Sequence, residues 1–312
     1  MKKVLVNVPI DAETKKRFED ISDQYCFVYR EDREEDKKDV QIVIGNYPPA
    51  RLKEFEKLEW IQSGAVGIDA YIKKGILKDG VLLTNAVDVH TKEVAEHTLA
   101  VLLAMVKKLY VYHDDQRAHI WRDEGRVKEI AKLKVAIIGL GNIGKHLAKN
   151  LKALGVYVIG VKQTMIERPE YIDELYLKED LDKAICDVDA VIAILPGNAE
   201  NAGLFTLDTF KKMRSDTVFL NVGRGNLYSP ETLNTVLDEK IIAGIYSDVF
   251  YKEPLLKDDP LWDKEGMLIT PHAAGSYHLQ SAFEAFLDLA EENLRRYIKN
   301  KELKNIVTKR ED

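Results

Sequence analysis

The order of hydrophobic runs predicts an α/β protein built from two doubly wound parallel sheets. Three observations carry that prediction. Short apolar runs of strand length alternate with segments of helical spacing along the chain, the βαβα order that leads to parallel pairing under a cover of helices. The chain has 312 residues, more than one hydrophobic core usually covers. The alternation also begins afresh at Val135-Ala136-Ile137-Ile138, after a long helical stretch.

Lys3–Val8 reads as the first strand and Ala12–Ile21 as the first helix. Cys26–Tyr29 is a short strand, and the charge run Glu31–Asp39 is a solvated helix or loop. Val40–Gly45 is a buried strand ended by Asn46-Tyr47-Pro48-Pro49, and Leu58–Gln62 and Val81–Thr84 are two more. From Thr91 the spacing predicts a long helix, with Val94, Thr98, Val101, Leu102, Met105 and Leu109 in one stripe. Leu99, Ala100, Leu103 and Ala104 fill its other faces, so it should be buried on more than one side, between domains or in a subunit interface. The later strands are Val135–Ile138, Val156–Val161, Ala190–Leu195, Thr217–Val222, Ala243–Asp248 and Met267–Thr270. A final helix carries Phe283, Phe286, Leu287, Ala290 and Leu294, and a solvated Lys-rich segment closes the chain.

The bulk numbers exclude several function classes. Hydrophobic residues make up 46% and charged residues 31% of the chain, as in soluble globular proteins. A net charge of −6 argues against nucleic acid or an anionic membrane as partner, since both need a basic face. No run approaches the roughly 18 apolar residues of a membrane span. Cys26 and Cys186 are far apart and lack metal-site spacing, which points to two thiols in a reducing cytoplasm. His90, His97, His113, His119, His146 and His278 show no pairing that demands a metal, and none is expected.

Residues 139–144 read Gly139-Leu140-Gly141-Asn142-Ile143-Gly144. A buried strand precedes them. A helix with Ile143, Leu147, Leu151 and Leu154 on one face follows, and then a new strand. In that context the motif predicts dinucleotide binding. Gly139 permits the tight turn, Gly141 lets a pyrophosphate approach the backbone, and Gly144 lets helix pack on strand. The amides of Asn142 and Ile143 can bind phosphate at the positive end of the helix. NAD sites usually carry Asp or Glu about 20 residues further on. Here Val161-Lys162-Gln163-Thr164 stands instead. Lys162 would attract a 2′-phosphate and Thr164 can donate to it, so NADP(H) is the expected cofactor. The alternative is a solvent-facing lysine beside a pocket that accepts NAD.

Arg224, Glu253 and His272 each follow an apolar run: Val218–Val222, Ala243–Asp248 and Met267–Thr270. Three parallel strands would deliver all of them to one carboxyl edge, where ligands of open α/β sheets bind. Reducing a 2-oxo acid needs a hydride at C2 and a proton on its oxygen. A guanidinium can grip the carboxylate with two parallel hydrogen bonds. An imidazole titrates near neutrality and can move the proton. A carboxylate partner favours the imidazolium and fixes the ring.

With these residues in place, the chain resembles the D-isomer-specific 2-hydroxyacid dehydrogenase family. The resemblance rests on the glycine motif, on Phe219-Leu220-Asn221-Val222-Gly223-Arg224-Gly225, and on Ser247-Asp248-Val249-Phe250 through Glu253-Pro254-Leu255 to Thr270-Pro271-His272-Ala273-Ala274-Gly275. It covers nearly the whole chain, including Val94-Ala95-Glu96. It implies that Arg224, Glu253 and His272 are the catalytic residues. It implies a Rossmann dinucleotide-binding domain over 100–276 and a discontinuous, flavodoxin-like substrate domain over 1–99 and 277–312, with a cleft that closes on the substrate. Asp248 matches the position that hydrogen-bonds the nicotinamide carboxamide, and Leu195-Pro196 matches the adenine side. Val222 and Gly275 are also carried over as cofactor contacts. The loop after Pro196, Gly197-Asn198-Ala199-Glu200-Asn201, lacks the threonines common there. Ser63, Gly64 and Ala65, in Ser63-Gly64-Ala65-Val66-Gly67, are expected to bind the substrate carboxylate together with Arg224. Asn46 and Tyr47 are placed to shape substrate choice.

The resemblance further implies a cytoplasmic homodimer that reduces a small 2-oxo acid, such as glyoxylate or hydroxypyruvate, to the D-2-hydroxy acid. Formate dehydrogenases of the same fold are a rival, but they carry Gln where this chain has Glu253. A nucleotide-sensing, corepressor-like binding protein is the rival of a different class.

Overall fold

The computed structural model describes residues 1–30 and 34–307. Part of the charge run, residues 31–33, and part of the Lys-rich tail, residues 308–312, lie outside the described residues; Glu34–Asp39 forms a 3-10 turn. The chain divides into two compact units, Met1–His90 with Tyr277–Asp312, and Thr91–Ser276. The first division falls ahead of the long helix, not within it at residue 99. Packing explains the difference, because Val94, Ala95, Val101 and Leu102 are buried in the second unit's core.

The first unit holds β1 (Lys2–Val6), α1 (Ala12–Glu19), β2 (Tyr25–Tyr29), β3 (Val40–Ile44), β4 (Trp60–Gln62) and β5 (Leu82–Thr84). The Asp11 carboxylate starts α1 by accepting the Thr14 amide at 2.8 Å, which satisfies one of the donors a helix start leaves open. The strands are parallel in the order β2-β1-β3-β4-β5, the flavodoxin-like order. Alternate side chains serve opposite faces. Val4, Val6, Ile42, Ile44 and Trp60 meet Phe286, Leu287, Ala290 and Leu294 of the C-terminal helix, Gln280–Ile298. Leu5, Val43, Ile61 and Leu83 pack with Tyr47, Leu52, Phe55 and Tyr71. The C-terminal segment is therefore part of this core.

The second unit begins with α2 (Thr91–Val106) and α3 (Leu109–Arg117). The apolar stripe of α2 does not continue to Leu109. Lys108 takes a left-handed φ of 57° and breaks the helix, and Leu109 is 56% exposed. There follow β6 (Lys134–Ile138), α4 (Asn142–Ala153), β7 (Tyr157–Lys162), β8 (Glu174–Leu177), α5 (Leu181–Ile185), β9 (Ala190–Ala193), α6 (Leu207–Phe210), β10 (Val218–Asn221), α7 (Pro230–Asp238), β11 (Gly244–Ser247) and β12 (Met267–Ile269). All seven strands are parallel, in the order β12-β11-β10-β9-β6-β7-β8. This is the doubly wound order of dinucleotide domains with one strand added at an edge.

Sequence patterning missed β8, whose residues are all only half-buried. Leu154 also departs from the expected helix face: α4 ends at Ala153, and Leu154 is 41% exposed. Two cores cover the sheet. Val135, Ile137, Val218, Leu220 and Tyr246 face α2 and α4. Ala136, Ile138, Phe219 and Ile245 face a cluster of Phe205, Phe210, Tyr228 and Leu233, in which Phe219 meets Phe205 and Phe210 edge-on at 4.7 and 5.1 Å between centroids. No helix among the described residues is long and apolar enough to cross a membrane.

Candidate active site

Strand order reverses between β6 and β9, so the loops after these strands flank the switch point. Gly139, after β6, has φ 110°. A Cβ there would stand 2.4 Å from the Ile194 carbonyl oxygen, so the two loops meet too closely for any other residue. A Cβ on Gly144 would stand 2.1 Å from the Gly139 carbonyl oxygen. Gly141 differs from both. It caps α4 without a side-chain hydrogen bond, and a Cβ there would meet nothing within 4 Å. Packing thus requires glycine at 139 and 144, while at 141 glycine leaves space above the amide end of a 12-residue helix. That shape fits a dinucleotide pyrophosphate, whose charge the helix end favours. Asn142 and Ile143 form the first turn of α4.

β7 ends at Lys162, which makes no ion pair among the described residues, and Gln163 and Thr164 are exposed. After β9, Leu195 is half-buried and Pro196 exposed. The loop that lacks threonines is held by asparagines instead. The Asn201 side-chain amide donates to the Pro196 carbonyl at 3.0 Å. Its oxygen accepts Lys178 Nζ at 2.8 Å. Asn198 Oδ1 accepts the Asn201 amide at 3.1 Å.

Arg224 leaves β10 between two wedged glycines. A Cβ on Gly223 would lie 2.6 Å from the Leu195 carbonyl oxygen, and one on Gly225 would lie 2.0 Å from the Phe250 carbonyl carbon. The turn is thereby clamped to the ends of β9 and β11, which excludes a loose surface turn. Buried Asn221 reinforces it. Its side chain accepts the Gly223 amide and donates to the Arg224 carbonyl and the Tyr228 hydroxyl, each at 2.9 Å. Tyr228 also shares a 2.6 Å hydrogen bond with Ser247, and burial pushes its pKa up to about 12. Val222, buried, donates its amide to the Ala193 carbonyl at 3.1 Å.

Glu253 and His272 meet directly. His272 Nδ1 donates to Glu253 Oε2 at 2.7 Å, and the Phe250 amide donates to Oε1 at 2.8 Å. The hydrogen bond to Glu253 is the main force raising the His272 pKa, burial opposes it, and the Glu253 and Asp248 charges add to it. Burial works to raise the Glu253 pKa. The hydrogen bonds from His272 and Phe250 and the Arg224 charge overcome it and leave the carboxyl below its ordinary value. The pair therefore favours imidazolium and carboxylate, and it directs Nε2 away from Glu253. Arg224 acts on both groups through its charge, and its Nη1 donates to the Gly223 carbonyl at 2.7 Å.

Asp248 is only 2% exposed, and its carboxylate is turned to internal donors. It accepts Thr270 Oγ1 and the amides of Ala273 (2.8 Å) and Ala274 (3.1 Å), while its carbonyl accepts the His272 amide at 2.8 Å. It thus holds the loop from His272 to Gly275. Asn221, Tyr228, Ser247 and Thr270 were not foreseen as site residues. The signal for Asn221, Ser247 and Thr270 is a polar side chain at the end of an otherwise apolar strand run.

In the first unit, the loop after β4 departs from expectation in its donors. The Gly64 amide is taken by Asn46 Oδ1 at 3.0 Å and the Ala65 amide by Ser63 Oγ at 3.1 Å. Ser63 Oγ itself donates to Asn46 Oδ1 at 3.2 Å, and its amide to the Thr84 carbonyl at 2.8 Å. The amides of Val66 and Gly67 donate to no group among the described residues. The Gly64 carbonyl accepts the Tyr277 hydroxyl at 2.8 Å and lies 2.9 Å from His90 Nε2. A Cβ on Gly64 would fall 1.7 Å from the Tyr277 oxygen.

Residues 99–274 match the model of the D-isomer specific 2-hydroxyacid dehydrogenase, NAD binding domain. The chain belongs to that family. A Corynebacterium melassecola protein of no assigned function is 30% identical over 252 residues, 78% of this chain and 81% of its own length. A family structure from Aeromonas salmonicida superposes with a TM-score of 0.86 at 25% identity, covering 99% of both chains. A probable 2-hydroxyacid dehydrogenase from Rhizobium etli, solved with NADP, HEPES and L(+)-tartaric acid, gives 0.75 at 26% identity over 99% of both chains. The chain spans only part of the D-3-phosphoglycerate dehydrogenases it matches, 42% of the Synechocystis one at 26% identity and 59% of the Methanocaldococcus jannaschii one at 24%. The family is one of NAD(P)-dependent enzymes that interconvert 2-hydroxy and 2-oxo acids, and the chain is an oxidoreductase of that class. These relatives give no support to the nucleotide-sensing alternative.

Proposed function

We propose that this protein reduces a small 2-oxo acid, of the size of glyoxylate or hydroxypyruvate, to the D-2-hydroxy acid with NADPH. The observation that carries the reading is the 2.7 Å His272–Glu253 pair at the same sheet edge as the clamped Arg224. The nicotinamide supplies the hydride when bound. His272, held as imidazolium by Glu253, donates a proton from Nε2 to the substrate oxygen. Arg224 binds the carboxylate and polarises the adjacent carbonyl. The glycine loop with Asn142 and Ile143 holds the pyrophosphate. Leu195, Pro196, Val222, Asp248 and Gly275 are assigned the remaining cofactor contacts, and Asp248 also keeps the His272 loop in place.

Lys162 and Thr164 favour a 2′-phosphate, and the Rhizobium relative was solved with NADP. We assign the first unit the substrate-binding role. Because the Gly64 and Ala65 amides have internal partners, the carboxylate donors of that loop are better placed at Val66 and Gly67. A cytoplasmic homodimer is part of this reading, with the exposed Leu109, Ile120 and Trp121 as candidates for the face between copies.

The test is oxidation of NADPH and NADH with a panel of 2-oxo acids. Turnover with NADPH preferred is expected. Tight cofactor binding without turnover would overturn the catalytic reading, and a clear NADH preference would overturn the role of Lys162.

A further inference from the structure

A continuous line of hydrogen bonds crosses the second unit from α2 to the His272 loop. His97 Nε2 lies 2.7 Å from the Tyr246 hydroxyl, which lies 2.7 Å from Thr270 Oγ1, and Thr270 Oγ1 donates to Asp248 Oδ1. The carboxylate end fixes every direction. Both Asp248 oxygens face backbone amides, which can only donate. Thr270 must therefore give its proton to Asp248 and accept from Tyr246. Tyr246 must in turn accept from His97, which carries its proton on Nε2. Burial, and after it the Asp248 charge, raise the Tyr246 pKa, so Tyr246 remains a donor. The carboxylate at the end of this line also receives Ala273 and Ala274, beside His272, and its charge is one of those that favour imidazolium there.

We propose that His97 is a positioning residue for His272, acting through Tyr246, Thr270 and Asp248. Each donor in the line withdraws charge from the Asp248 carboxylate, and each bond orients the next. The line thus fixes both the place of the loop and how much of the Asp248 charge His272 feels, alongside the charges of Glu253 and Arg224. The effect of His97 on His272 is assigned to this line, which His97 enters through Tyr246.

The inference rests on the proposed role of His272, but its test needs no turnover. The His272 imidazole is titrated by NMR in the wild-type protein and in His97→Leu, His97→Gln, Tyr246→Phe and Thr270→Val. Removing a donor leaves more charge on Asp248. The midpoint should rise most in Thr270→Val, less in Tyr246→Phe and least in His97→Leu. His97→Gln, which keeps a donor, should match the wild type. Retained NADPH binding and an unchanged melting temperature in His97→Gln check the fold. Unchanged midpoints in the three disrupting variants, or an equal shift in His97→Gln, would overturn the proposal. Failure of the wild-type protein to turn over 2-oxo acids would instead count against the functional reading, and leaves the titration result standing.

Discussion

The carboxyl ends of β10, β11 and β12 are built differently from the carboxyl end of β7. At the first, Gly223 and Gly225 are pressed against neighbouring backbone, Asn221 and Tyr228 are buried, and Asp248 draws the His272 loop onto the sheet. At the second, Lys162, Gln163 and Thr164 extend from the strand with no ion pair on the lysine among the described residues. Close-packed backbone and satisfied buried polar groups admit few substitutions. Exposed side chains admit many. In the proposed function the reaction type is therefore tied to the core of the unit, whereas the proposed choice between two closely related cofactors rests on groups that can change without disturbing it.

The largest effect should come from the packed end. His272→Ala is expected to lower kcat by about 10²–10⁴-fold while cofactor binding, followed by fluorescence, persists; unchanged turnover would remove His272 from the chemistry. Glu253→Gln should cost less, and its signature is in the pH profile. Without the carboxylate, His272 loses the main support of its raised pKa. The limb on which reduction declines with rising pH should then move to lower pH. The pair also links pH to stability. Its His272 part is complete below the unfolded value, about 6.5, and is lost as pH rises through the raised folded value. Its Glu253 part is present above the unfolded carboxyl value and is lost as pH falls through the lowered one. A wild-type unfolding profile flat across both windows would show the pair to be too weakly coupled for this role.

Glycine substitutions sharpen the contrast. Gly225→Ala forces a Cβ against the Phe250 backbone and should destabilise the protein by about 1–3 kcal/mol in urea unfolding. Gly141→Ala meets only open space, so its unfolding midpoint should stay in place while cofactor affinity falls. Equal destabilisation by both would make Gly141 a packing residue. The smallest effect belongs to the exposed end. Lys162→Glu should turn the NADPH-to-NADH ratio of kcat/KM toward NADH by about tenfold, a change of about 1.4 kcal/mol, with no change in melting temperature. A ratio that does not move would place the 2′-phosphate contact elsewhere.

Much of this architecture is legible in the sequence because its signals are local and strong. The long apolar strands, the glycine motif between strand and helix, and the Gly-Arg-Gly turn each carry their own pattern. β8 is not legible. It lies at the sheet edge, where Glu174, Leu175, Tyr176 and Leu177 are only half-buried and need no apolar alternation. Leu109 and Leu154 match helical spacing but sit beside helix breaks, one just after Lys108 and the other just before Gly155, whose left-handed backbone no spacing rule reads. The donors of the 63–67 loop stay hidden for another reason. Which amides are open depends on Asn46, distant in sequence and adjacent only after β3 and β4 pair. The line from His97 to Asp248 joins three segments in the same way.

The return of the C-terminal helix to the first unit has a consequence for how the protein is made. Trp60, Ile42 and Ile44 wait for Phe286, Leu287 and Leu294, which leave the ribosome only after the whole of Thr91–Ser276 has emerged. The second unit can collapse as an uninterrupted stretch during synthesis, since domains fold as units. The first cannot cover this face of its sheet until Gln280–Ile298 has followed, so a sheet made before the second unit is sealed after it, and it is there that a chaperone would find apolar surface to hold.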